Sequence, residues 1–302
     1  MTFEEAERAV IQGRWGEVLS EAVLRIASAE QEQRKSDLVR WLLLATQATR
    51  LIGRTGEALS HAYRALETAR GLNDPEILAQ AHLGQAGAFK SARDYDEALS
   101  QLRTALEILP SGAADLFRAE LLLETAETSL EAGLRPEAEA ALAKGGALVH
   151  WLREPRLLAW SLYLRSQWED ASPADLQLSA AYEIAKSVDF PELKWRILWK
   201  LGERAAQQGR TKMQEDCLWN AFQILTHLAE PLDPADATAF WRLGPRRMFL
   251  DSAQRKFGGA FFQRVMQDGV RKPDNSTRII RDIGFDSSSI PDFGRPDPPP
   301  ES

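Results

Sequence analysis

Few side chains in this sequence could carry out covalent chemistry. Cys217 is the only cysteine, which excludes an intramolecular disulfide and a cysteine-based zinc site. It lies in the apolar run DCLWNAF with no base beside it, the setting of a small buried hydrophobe rather than a nucleophile. The four histidines, His61, His82, His150 and His227, are too scattered to frame a metal ion. There is no Gly-rich phosphate loop, no G-x-S-x-G elbow and no H-E-x-x-H pair, and carboxylate pairs such as Glu4-Glu5 are ordinary on helix surfaces. The expectation is therefore a protein without catalytic residues, metal or cofactor. What the sequence offers instead is binding chemistry, in charged and aromatic side chains spaced three to four apart.

The elements that must position those residues come from an internal repeat. GRWGEVL (13–19), GRTGEAL (53–59), RDYDEAL (93–99) and GLRPEAE (133–139) place Glu17, Glu57, Glu97 and Glu137 at intervals of 40. The same interval joins Gly13, Gly53 and Gly133, with Arg93 as the exception. It also joins Val18, Ala58, Ala98 and Ala138, and, one helix earlier, Ala6, Thr46, Ala86 and Ala126. Each unit reads as an amphipathic helix, a Gly-containing turn and a second amphipathic helix, which short connections force to be antiparallel. Small residues beside the turn let the two helices approach closely, so Ala86 and Ala98 are expected to be buried. Asp74-Pro75, Ser172-Pro173 and Asp233-Pro234 read as a capping side chain before proline in the first helical turn, with Asp175 and Asp236 at the capping-box position. Two less regular units follow, with helix pairs near 155–169 and 173–187, then 191–208 and 211–228.

DYDEALSQLRTALEILP (94–110) resembles the second half of a tetratricopeptide repeat, with Tyr95, Ala98, Ala105 and Pro110 on the signature positions. The 40-residue period is similar to the extended repeats of kinesin light chains and of the maltose-regulon activator group. Arg25 and Gly145 depart from the alanine that the motif prefers. The resemblance implies an all-α, right-handed α-solenoid of antiparallel helix pairs, about six repeats over 1–229. The Gly- and Pro-punctuated pattern after Pro234 reads as a short basic helical cap (230–271), and the composition beyond it as an extended Pro/Ser/Asp-rich tail (272–302).

In such a superhelix the first helix of each unit lines the concave face. That nominates Arg40, Leu43, Gln47 and Arg50, then Gln80, Leu83, Gly87 and Lys90, then Glu120, Leu123, Glu124, Glu127 and Glu131. The groove so built would run from basic to acidic and orient a charged peptide; the competing reading is a set of solvated faces, with Leu43 and Leu83 in the core. Leu43, Gln47, Leu83 and Gly87 hold the positions where chaperone-tail clamps of the tetratricopeptide family call for Lys and Asn, so that clamp is absent. Of the nine Trp, most read as packing, and Trp199 with Tyr163 is the pair that could form an anchor pocket.

A net charge of -7 argues against a general nucleic-acid binder. Between 242 and 281, however, ten Lys and Arg face three Asp. That segment is expected to pair with the acidic repeats, an anionic surface being the alternative. No run approaches about 18 apolar residues and MTFEEAERAV is unlike a secretory signal, which points to a cytoplasmic protein without membrane insertion. Asn275-Ser276-Thr277 matches a glycosylation acceptor that has no role there. The tail, with Ile290 and Phe293, reads as an extended segment that could fold back into the chain's own groove, or as a linker. Three functions fit in this order: a scaffold binding a protein or peptide, a ligand-responsive regulatory module acting through a partner, and a helical-solenoid enzyme. Oligomeric state is open.

Overall fold

The computed structural model describes residues 1–110, 115–168 and 171–268, with side chains described to 258 except at 171 and 172. All of the regular structure among them is helical. In chain order the helices are α1 (Phe3–Ile11), α2 (Trp15–Gln31), α3 (Lys35–Ile52), α4 (Thr55–Arg70), α5 (Pro75–Ser91), α6 (Tyr95–Ile108) and α7 (Asp115–Glu131). They continue as α8 (Arg135–Leu152), α9 (Pro155–Arg165), α10 (Ala171–Ser187), α11 (Pro191–Gln207), α12 (Thr211–Ala229), α13 (Pro234–Arg242) and α14 (Gly244–Asp268), the last bent at Gly258. From α1 to α12 each helix packs on its neighbour in sequence, as a helical-repeat solenoid requires.

The repeat acts through two columns of small side chains. Val18, Ala58, Ala98 and Ala138 are fully buried, as are Ala6, Thr46 and Ala126, with Ala86 nearly so. Each pair closes where these columns meet. The turn position 40 residues apart is left-handed in all four early units: Gly13, Gly53 and Gly133, and also Arg93, which adopts φ +65° without glycine's freedom. The outer turns keep the same period, with positive φ at Gln33, Asn73 and Arg153.

Two of the three proline-marked starts have the expected cap. Asp74 accepts from the amides of Glu76 and Ile77 at 3.0 and 3.1 Å, and Asp233 accepts from the amide of Asp236 at 2.9 Å. At the third, α10 begins at Ala171, one residue before Ser172. Asp236 does not complete a capping box. Asp175 accepts from Arg204 and Gln208, and Asp236 pairs with Arg54 of the second unit.

That last contact belongs to the largest departure from expectation. Rather than capping a free end, α13 and α14 return to the beginning of the chain. Phe240 lies 5.9 Å from Trp15 between ring centroids, and α13 crosses so near the turn after α3 that a Cβ on Gly53 would sit 2.5 Å from the carbonyl oxygen of Ala239. Gly13 packs in the same way on Leu228 of α12 and Pro191 of α11. Residues of α1 to α5 and of α9 to α14 consequently share one hydrophobic core, and the array closes into a ring.

The closure is testable with a matched pair of glycines. Gly133 has φ +79° and open space, with nothing within 4 Å, where a Cβ would stand, whereas Gly53 has φ +100° and faces Ala239. Gly133→Ala should cost about 1 kcal/mol from backbone strain alone. Gly53→Ala should cost at least about 2 kcal/mol more, since backbone must move. Equal urea midpoints for the two variants would show that the ring contact contributes nothing.

Candidate functional site

Closing the ring leaves two adjoining cavities on its inner side, of about 460 and 540 Å³. Both fall in the size range of ligand sites. The first is lined by the C-terminal turns of α3, α5 and α7, by α9 and α11, and by the start of α14. The second is lined by α1, by the same turns of α3 and α5, by α7 and by the starts of α9 and α11. Arg50, Leu51, Lys90, Glu127 and Arg196 line both, so these side chains form the wall between the cavities.

That wall is a ladder of buried charge. Lys90 Nζ lies against Glu124 Oε1 and donates to Glu127 Oε2 at 2.8 Å. Arg196 bridges Glu127 Oε1 at 2.9 Å and Glu192 Oε1 at 3.2 Å. Arg246, wholly inaccessible, then joins Glu192 Oε2 at 2.9 Å and donates to the carbonyl of Leu51 at 2.6 Å, its guanidinium 3.7 Å above the Phe240 ring. Helices α5, α7, α11, α14 and α3 are thereby tied together through the interior.

Environment sets the ionisation of these groups. Desolvation opposes charge on Glu127, but Lys90 and Arg196 overcome it and hold its carboxyl at about 2. Glu192 is likewise lowered, by Arg246 and Arg196 against burial. Lys90 and Arg196 are both held above their usual ranges by these carboxylates despite burial. Glu131, open to the first cavity yet crowded by its walls, is raised by desolvation against the pull of Lys90. Tyr163 is raised by burial.

Of the residues nominated from the sequence, the structure gathers Arg50, Lys90, Glu127, Glu131, Tyr163 and Trp199 around the first cavity, and Gln47, Glu120 and Glu124 around the second. Trp199 stacks on Trp195 at 6.0 Å, with Phe249 set edge-on against both. The remaining nominations need correction. Leu123 is fully buried, seated against Gly145 of α8. Leu43 is half-buried and packs onto Gly84 of the next unit, and Leu83 is half-buried against the core of α5 and α6. Gly87 is covered by Arg50, Gln80 borders neither cavity, and Arg40 is exposed beside the Phe3 ring at 5.6 Å.

The expected drift from basic to acidic is reduced to Arg50 and Glu131, because Lys90 is neutralised by Glu124 and Glu127 from the next unit and Glu120 by Arg156. Arg196, Glu192 and Arg246, which complete the ladder, were not singled out by sequence. Arg246 was visible only as one of ten cations in the basic segment. Part of that segment does pair with acidic repeats, through Arg246–Glu192 and Lys256–Glu215. Arg247 pairs instead with Asp251 of its own helix, and Arg242 and Arg255 are exposed. Residues beyond 268, with the tail, Asn275-Ser276-Thr277, Ile290 and Phe293, lie outside the described residues. Cys217 is fully buried, and burial pushes its thiol up to about 12, as its apolar setting implied.

No family model matches the sequence, and no curated protein matches it. Among solved structures, a Rap protein complexed with Competence and Sporulation Factor aligns with a TM-score of 0.65 at 17% identity, over 76% of this chain and 63% of that chain. BtubC (BKLC) from P. vanneervenii aligns with a TM-score of 0.53, also at 17% identity, over 73% of this chain and 94% of that one. The likeness is one of fold: an all-helical repeat architecture. The chain spans less than two thirds of the Rap chain. Among the described residues no helix is long and apolar enough to cross a membrane.

Removing one member of the ladder strands its partners. Arg196→Met leaves Glu127 and Glu192 each short of a cation and should cost about 3–5 kcal/mol in urea unfolding. The carboxylates also set an acid limit. Glu127 is lowered from 4.5, so its contribution is present above pH 4.5 and lost as pH falls toward about 2; Glu192 acts in the same direction and Glu131 opposes. The urea midpoint should fall across that window, and less so in Glu127→Gln. A midpoint flat from about pH 5 to about 2.5 would refute this assignment.

Proposed function

We propose that the chain is a non-catalytic interaction scaffold that binds a short segment of a partner protein, or a peptide, inside its ring. The observation that carries this reading is the first cavity. It is walled by the stacked pair Trp195 and Trp199 with Tyr163 and Met248, and lined by charges of both signs. Such a combination of large aromatic faces and a few placed polar groups is what peptide side chains and backbone require.

Two further points support it. The groove residues come from the first helices of successive units, the surface that repeat arrays use for recognition. A protein of the same fold has been solved with Competence and Sporulation Factor bound, so the architecture accommodates a ligand-binding role. A regulatory variant of the same reading is favoured by the ring itself: the start of α14 lines the cavity while Arg246 on that helix secures the closure, so an occupant would touch the element that holds the ends together. Within this reading the protein works in the cytoplasm.

The test is retention of peptides from a random library on the immobilised chain, with the retained set identified by mass spectrometry. Trp199→Ala should lower retention at least about tenfold, the effect of losing an aromatic hot spot. Leu24→Ser, on a residue two-thirds exposed and outside both cavities, should leave it unchanged. Equal loss in both variants, or none in either, would refute the cavity as the binding surface.

A further inference from the structure

We infer that the occupant of the first cavity is a peptide C-terminus whose free carboxylate is bound by Arg50. This rests on the reading of that cavity as a peptide site and adds which end of the chain enters and what receives it.

The first observation is a mismatch in charge pairing. The other cations on the inner wall have acceptors: Lys90 has Glu124 and Glu127, Arg196 has Glu127 and Glu192, Arg246 has Glu192, Arg156 has Glu120, and Lys200 has Glu203 at 3.3 Å. Arg50 is half-buried between the two cavities and, among the described residues, has no carboxylate or carbonyl within bonding distance of its guanidinium. Its neighbours in charge, Lys90, Glu127 and Arg196, are committed to one another. A guanidinium withdrawn from bulk water and left without an acceptor is a poor structural element and a good receptor for a planar, two-oxygen anion.

A second observation fixes its place. Gly87 occupies the position that Gln47 and Glu127 hold in the units before and after, and Arg50 lies in the space so vacated. A Cβ on residue 87 would come within 3.2 Å of Arg50 Nε and 3.4 Å of Cδ. The side chain is thus laid flat along α5 at the inner wall. Arg93, the other unpaired cation of this cavity, is exposed at the rim beside Gly244 and has no such seat.

The third concerns which carboxylate. The wall formed by Arg50, Lys90, Glu127 and Arg196 lies between the first cavity and the second, so a chain end seated against Trp199 and Tyr163 would bring its last backbone group to Arg50. An ending chain offers a terminal carboxylate at the wall and its last side chain to the aromatic face.

The experiment uses two tetrapeptide libraries, one with free C-termini and one amidated, offered to the wild-type chain and to Arg50→Met, Arg50→Lys and Gly87→Ala. Because Arg50 makes no direct ion pair with an internal carboxylate and acts on Glu127 only through space, Arg50→Met should keep the wild-type helical signal. The expected result is retention of free acids with apolar last residues and at least about tenfold weaker retention of their amides. Arg50→Met should lose the preference, Arg50→Lys should keep part of it, and Gly87→Ala should weaken it without any contact to the peptide. Equal retention of acids and amides would overturn the inference while leaving peptide binding intact. Retention of amides through Asp or Glu side chains, sensitive to Arg50, would overturn the chain-end assignment. Failure of wild type to retain either library would overturn both the inference and the reading beneath it.

Discussion

A charge taken out of water has to be met by an opposite charge or hydrogen-bonding partner, and in this chain that requirement runs without a break from Lys90 to Arg246. Each carboxylate of the ladder serves two helices. Glu127 joins α5 to α11 through Lys90 and Arg196, and Glu192 joins α11 to α14 through Arg246. Arg246 reaches the carbonyl of Leu51, 195 residues earlier, and so converts a run of neighbouring contacts into a ring. Apolar burial supplies the bulk of the stabilisation, but it is indifferent to register. The ladder specifies which helix meets which, because any slip leaves a buried ion unanswered.

The same constraint shapes the interior. Side chains committed to the ladder cannot move into the lumen without stranding a partner, so the lumen stays open on either side of them. The two cavities are therefore a consequence of how the ring is tied. Their contrast in lining follows from it. On one side stand Trp195, Trp199 and Tyr163, whose stacking is backed by Phe249 of the closing helix; on the other stand α1 with Glu4 and Glu7 and the starts of α9 and α11.

How much of this a sequence can carry depends on the range of the interaction. The helix pairs were legible because their determinants are local: columns of Ala at 40-residue spacing, left-handed turn positions, and Asp-Pro starts at 74 and 233. Arg93 shows the limit even here, since its positive φ is set by the surrounding turn and not by its type. The groove was legible in part. Leu43 shares a helical face with groove residues but stands one to two turns further from the inner end, and Leu123 turns toward α8 although Glu120 and Glu124 beside it line the second cavity. Leu43 fits onto Gly84 and Leu123 against Gly145, contacts that the helical period does not encode. Gly87, nominated as a groove residue, instead admits the side chain of another one.

What the sequence did not carry is the closure, and the reason lies in two residues read for their local meaning. Asp236 three places after Asp233 fits a capping box, yet its carboxylate is taken by Arg54 from 182 residues away, and the cap is left to Asp233 alone. Arg246 reads as one cation in a basic stretch, yet it is the most buried charge of the ring. In both cases a local pattern and a distant partner compete for one side chain, and the distant partner prevails because a surface cap is worth about 1 kcal/mol whereas an ion held in the interior without its counter-ion costs several. Arg247 beside it is the same residue type and stays exposed, so what separates the two is the distant Glu192 and Leu51 that Arg246 meets, and not the composition of the segment around them.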